Sequence, residues 1–93
     1  MEPRVVDNPA EPRYGLRLGD RLAGHIRYTR DDDGALTLVH TEIEPDLEGD
    51  GLGAALVRGT LDDLRARGLR MRPLCPFVAA FVRRHPDYAD LVA

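Results

Sequence analysis

Long apolar runs, a second cysteine and a basic excess are all missing from this 93-residue sequence. No stretch is apolar enough to span a bilayer. The opening residues, MEPRVVDNPAEPRYG, hold no apolar signal core, so a cytoplasmic location is expected. A single cysteine, Cys75, excludes an intramolecular disulfide and suits a reducing compartment. The formal charge is −3, with acids and bases interspersed, which argues against a general nucleic-acid binder. Three histidines and one cysteine show no metal-ligand spacing, so no metal site is expected. There is no internal repeat and no low-complexity tract.

What remains is a small globular composition, 43% hydrophobic and 31% charged. A chain this short makes one domain with a limited core, so a ligand belongs in a surface cleft. Residues 1–12, with three prolines and three acids, read as a flexible arm or an irregular edge, and residues 13–93 as the domain.

The organisation follows from periodicity. RYGLRL alternates, with Tyr14, Leu16 and Leu18 on one side, and Gly19-Asp20 supplies a hairpin turn. RLAGHIRYT alternates again and ends at the turn signal Asp33-Gly34. ALTLVHTEI reads as a central strand. Leu36 and Leu38 share a face with His40, while Val39 and Ile43 lie on the other. Helical spacing then appears in Leu52, Leu56, Val57, Leu61 and Leu64, with Gly68 as its stop. Asp62 with Arg65, and Asp63 with Arg67, suit an exposed helical face. LRMRPLC reads as a further strand. Pro76 suits the first position of a last helix, with Cys75 as its N-cap. Phe77, Val78, Phe81 and Val82 give that helix an apolar face. The order is β-β-β-α-β-α, an α/β (α+β) domain: an antiparallel meander followed by a parallel βαβ unit.

Gly49, Gly51 and Gly53 stand between the central strand and the first helix. A helix N-terminus offers free N–H groups and the positive end of its dipole. A pyrophosphate binds there if the backbone comes close, which glycine permits. The same glycines also suit a plain tight turn, and spacing alone leaves both readings open. The loop follows a meander, which argues against a Rossmann fingerprint. No Gly-Lys-Ser/Thr follows it, which excludes a Walker A loop.

IEPDLEGDGLGAAL resembles motif A of the GNAT superfamily of acetyl-CoA-dependent N-acetyltransferases, a strand, then Gln/Arg-x-x-Gly-x-Gly/Ala, then a helix. Gly51 and Gly53 match the motif glycines, and Glu48 stands where Gln or Arg is usual. More closely, the chain resembles a compact GNAT-like group of roughly one hundred residues. That group carries the segments found here as His40-Thr41-Glu42, Pro73-Leu74-Cys75-Pro76-Phe77 and His85-Pro86-Asp87-Tyr88. The resemblance covers nearly the whole chain. It implies a minimal GNAT-like fold, acetyl-CoA as co-substrate and an amine acceptor. It places the backbone of Thr41, Glu42 and Ile43 along the pantetheine, and Asp50, Gly51, Leu52, Gly53 and Ala54 at the pyrophosphate. Arg83 or Arg84 would meet the nucleotide phosphates.

Two catalytic groups common among GNAT enzymes have no counterpart. Val82 stands where a tyrosine acid is usual, and Thr37 where a glutamate base is found. Cys75 and His40 are the alternatives. A thiol at a helix N-cap gains thiolate character. His40 and Cys75 are expected to share a cleft, with Cys75 accepting acetyl or protonating CoA and His40 acting as base. Against this, cysteine often only packs, and a strand histidine often only hydrogen-bonds. Three readings stand: an N-acetyltransferase, a non-catalytic acyl-CoA-binding module, and an interaction domain that binds no CoA.

Overall fold

The computed structural model describes residues 2–93. Alternating apolar residues build five strands in one sheet, ordered as in the chain. They are β1 (Pro3–Asn8), β2 (Arg13–Leu18), β3 (Arg21–Arg30), β4 (Leu36–Ile43) and β5 (Met71–Pro73). The first four are antiparallel neighbours, and β5 lies parallel to β4. Helix α1 (Leu52–Ala66) joins β4 to β5, and α2 (Pro76–Arg84) follows β5. A mixed α/β domain with an antiparallel meander and a parallel βαβ unit is therefore what forms.

The N-terminal segment departs from the expected arm. Pro3–Asn8 is an ordered edge strand, paired along its whole length with β2. Pro3 sits at its first position, where a missing N–H does least harm. Val5 faces α1 so closely that a Cβ on Gly59 would collide with the Val5 side chain. Gly59 is thus the gap in α1 that receives β1. Asp7 accepts a hydrogen bond from the Tyr28 hydroxyl at 2.7 Å and pairs with Arg67 at 3.0 Å.

Helix α1 buries Leu56, Val57, Leu61 and Leu64 against Tyr14, Leu16, Ile26, Leu36 and Leu38 of the sheet. Full burial of one such side chain contributes about 2 kcal/mol. At the helix end Gly68 takes a φ of 69°, and the Leu69 N–H reaches the Leu64 carbonyl at 2.9 Å. Of the two expected surface pairs, Asp63–Arg67 forms at 3.2 Å. Asp62 instead accepts from the Tyr88 hydroxyl at 2.6 Å, and Arg65 pairs with Asp90 at 2.8 Å. Both departures arise because a 3₁₀ turn over Pro86–Leu91 packs on α1 and brings its own partners.

Strand β4 carries the decisive irregularity. Arg27 stands opposite His40 and Tyr28 opposite Leu38, which leaves Val39 outside the register as a bulge. A bulge reverses the alternation of faces beyond it. Leu36 and Leu38 point to the helices, as expected. After the bulge Thr41 and Ile43 take over that face, and His40 and Glu42 turn to the other.

Candidate functional site

Pairing between β4 and β5 stops early. It covers Leu36, Thr37 and Leu38 against Met71, Arg72 and Pro73. One further bond, from the Cys75 N–H to the Leu38 carbonyl at 2.9 Å, closes it. Pro73 has no N–H to extend the ladder, and Pro76 turns the chain into α2. Beyond this point β4 runs on to Ile43 with no strand on its β5 side among the described residues.

Into this gap opens a cleft of about 400 Å³. Thr41 and Ile43 form one wall, the Leu47–Gly49 stretch with Gly51 and the first residues of α1 the other, and Phe77 one end. Gly49 and Gly51 have φ of 91° and 76°, a left-handed backbone that other residues adopt only with strain. Gly53 is needed for a different reason. A Cβ there would lie 2.8 Å from the Phe77 ring.

The N-terminus of α1 has no side-chain cap and no acid in its first turn. The Ala55 N–H bonds the Gly51 carbonyl at 3.2 Å and opens the helical ladder. The N–H groups of Leu52, Gly53 and Ala54 precede it at the cleft, at the positive end of the helix dipole. Glu48 also lines the cleft, whereas Asp50 is exposed outside it. This wall fits an anionic, chain-like ligand. Free N–H donors stand at one end, and beside them runs the unpaired edge of a strand.

Cys75 is the N-cap of α2 and is only 4% exposed. Its Sγ lies 3.4 Å from the Thr41 Oγ1. Burial pushes the thiol pKa up, but the Thr41 hydroxyl and the N–H groups of Val78, Phe77 and Thr41 favour the thiolate more. The net shift is downward. No full cap hydrogen bond to the sulfur is closed, so the N–H groups act on it as nearby dipoles. Cys75 sits behind Thr41 and Phe77 rather than on the cleft wall.

His40 does not join it. Its ring lies 3.1 Å from Glu42, which also stands 3.9 Å from His25. Because the bulge turns His40 to the helix-free face, the shared cleft expected for His40 and Cys75 is not formed. Glu42 follows His40, so only its backbone, between Thr41 and Ile43, belongs to the cleft edge. Arg83 and Arg84 are exposed in the last turn of α2, at the end away from Cys75.

Sequence reasoning missed Leu47 and Phe77 as cleft residues. Phe77 is expected on the apolar face of α2, yet the buried residues of that helix are Val78 and Phe81, and Phe77 is 46% exposed. Its i, i+4 spacing to the buried Phe81 points the other way, so no local signal marks it as a cleft residue.

The family model for GCN5-related N-acetyltransferases matches residues 13–91. The chain belongs to this family. Its fold is also similar to that in the NMR solution structure of a GCN5-like protein from Staphylococcus aureus, with a TM-score of 0.71. That likeness covers 97% of this chain and 87% of the other at 19% identity, and it speaks for the fold. No curated protein matches the chain. GNAT domains generally use acetyl-CoA as co-substrate.

Proposed function

We propose that the protein is an acetyl-CoA-dependent N-acetyltransferase of the compact GNAT-like group, acting on an amine of a peptide or small molecule. The observation that supports this is the convergence of two features on one cleft: the unpaired edge of β4 and the uncapped N-terminus of α1. The pyrophosphate of CoA fits the N–H groups of Leu52, Gly53 and Ala54. The pantetheine amides fit the edge of Thr41 to Ile43, as an added strand would. Glu48 opposes the anion, partly screened by salt, and lowers affinity without removing it.

Transfer forms a bond from the amine nitrogen to the acetyl carbon and breaks the bond from that carbon to the CoA sulfur. The amine loses a proton, and the CoA thiolate gains one. Cys75 is the group suited to the second step. A thiol more acidic than an ordinary one gives its proton to an ordinary thiolate downhill. Its burial disfavours a role as acetyl carrier. His40, on the other face, takes no part.

A second reading has its own support. Cys75 stands behind the wall of the cleft, and neither a tyrosine acid nor a glutamate base replaces it, which suits a module that binds acyl-CoA without transfer. The test incubates the protein with acetyl-CoA and two peptides, one with a free N-terminus and one blocked and carrying lysine. Acetylation is followed by mass spectrometry, with Cys75→Ala in parallel. The protein has no lysine, so acetyl-lysine can arise only on the peptide. Transfer lost in Cys75→Ala with CoA binding kept supports the proposal. CoA binding without any transfer supports the second reading. A mass gain of one acetyl group on Cys75 makes it a carrier rather than an acid.

A further inference from the structure

Both helices pack on one side of the sheet, and the other side carries an arrangement that folding does not favour. In the register, Arg4 stands opposite Arg17 and Arg13 opposite Arg27. Cross-strand partners share a face, and like charges directly opposite each other destabilise a sheet. Arg4, Arg17 and Arg27 are exposed. On the rest of the molecule Arg21, Arg65, Arg67 and Arg72 have carboxylates within 3.2 Å. The negative groups on the open face are few. Glu11 pairs with Arg13 at 2.8 Å, and Glu42 is held between His40 and His25. Asp31 and Asp33 are taken up by Arg72.

Between the two arginine pairs lies a depression of about 200 Å³, walled by Val6 and Leu22 over Gly15, rimmed by Arg13 and Arg17, and bordered by Asn8 and by Asp7, whose carboxylate is taken up by Tyr28 and Arg67. Gly15 has no side chain to fill it, and Val6 is 47% exposed beside it. Arg13, Gly15 and Arg17 are alternate residues of β2, so they present charge, hollow and charge along one line.

We propose that this helix-free face docks an extended acidic peptide, with carboxylates four residues apart on the two arginine pairs and an apolar side chain between them in the hollow over Gly15. The spacing is that of a strand, in which residues i, i+2 and i+4 face the same way, about 13 Å end to end. Arginine forks suit carboxylates, because two parallel hydrogen bonds fix the pair. A second copy of this chain does not fit, since face-to-face contact sets arginine against arginine. A single-stranded nucleic acid lacks its stacking partners. Tyr14, Tyr28, Phe81 and Tyr88 are buried, and Phe77 lies at the cleft. The proposal does not depend on acetyl transfer.

The test uses the full chain and a fluorescein-labelled peptide containing Glu-Thr-Leu-Thr-Glu, followed by anisotropy at low and physiological salt. The peptide with both Glu replaced by Gln, and an oligothymidylate, serve as comparisons. Binding to wild type, weakened by salt and lost with the Gln peptide, is expected. Arg27→Glu relieves the repulsion with Arg13, so it keeps or raises thermal stability while weakening binding about tenfold. Absence of peptide binding at low salt overturns the proposal, as does indifference to Arg27→Glu. Tighter binding of oligothymidylate than of the peptide, or a concentration-dependent dimer blocked by Arg27→Glu, overturns it in favour of those partners.

Discussion

The Thr41 hydroxyl lies 3.4 Å from the Cys75 sulfur and ties the free end of β4 to the N-cap of α2. Thr41 reaches that sulfur only because the bulge at Val39 turns it toward the helices. One extra residue in β4 thereby puts the threonine, rather than His40, beside the thiol.

Thr41→Val keeps the shape and removes the hydroxyl. The Cys75 thiol then loses the largest group that favours its thiolate, and its pKa rises toward that of an ordinary thiol. A hydrogen bond is worth about 1 kcal/mol net, so alkylation of Cys75 at fixed neutral pH should slow roughly fivefold. Iodoacetamide labelling of the two proteins across a pH series checks this. An unchanged rate profile would show that Thr41 does not tune the thiol.

Thr60 is fully buried on the inner face of α1, and its hydroxyl has no partner among the described residues. An unpaired buried polar group costs free energy that an apolar group of the same shape does not. Thr60→Val should stabilise the protein by about 1 kcal/mol. Urea unfolding gives the number, and a loss of stability would mean that the hydroxyl is satisfied after all.

The Tyr28 hydroxyl is raised from 10.0 to about 12, first by burial, then by its hydrogen bond to Asp7 and the charge of that carboxylate. The folded value lies above the unfolded one. Its stabilisation is therefore fully present below pH 10 and is lost as pH rises toward about 12. Tyr28→Phe should be less stable at neutral pH by about 1 kcal/mol, and its stability should fall less steeply over that alkaline window. Chemical unfolding at neutral pH and at steps above pH 10 separates the two effects. Parallel alkaline slopes in the two proteins would contradict the assignment.

Local signals carried much of the fold. Gly19-Asp20 and Asp33-Gly34 marked their turns, the leucine spacing marked α1, and Cys75-Pro76 marked the start of α2. What escaped notice depends on contacts distant in sequence. Residues 1–12 read as an arm because three prolines and three acids surround two valines, yet β2 beside Pro3–Asn8 and Gly59 across from Val5 make that segment a strand. The bulge at Val39 has no glycine to announce it. It exists only in the register with β3, and it decides where His40 points. The glycine loop was legible as a candidate cradle. Its end wall was not, because Phe77 meets Gly53 across 23 intervening positions.

Acetyl transfer by this domain requires the cleft between β4 and α1 to hold the pyrophosphate and pantetheine of CoA, despite Glu48. Calorimetric titration of acetyl-CoA into the wild-type protein, at low and physiological salt, tests that most directly. Saturable one-to-one binding that weakens moderately with salt is the expected result. No heat, together with no thermal stabilisation at saturating ligand, would contradict it and leave the glycine loop as a turn.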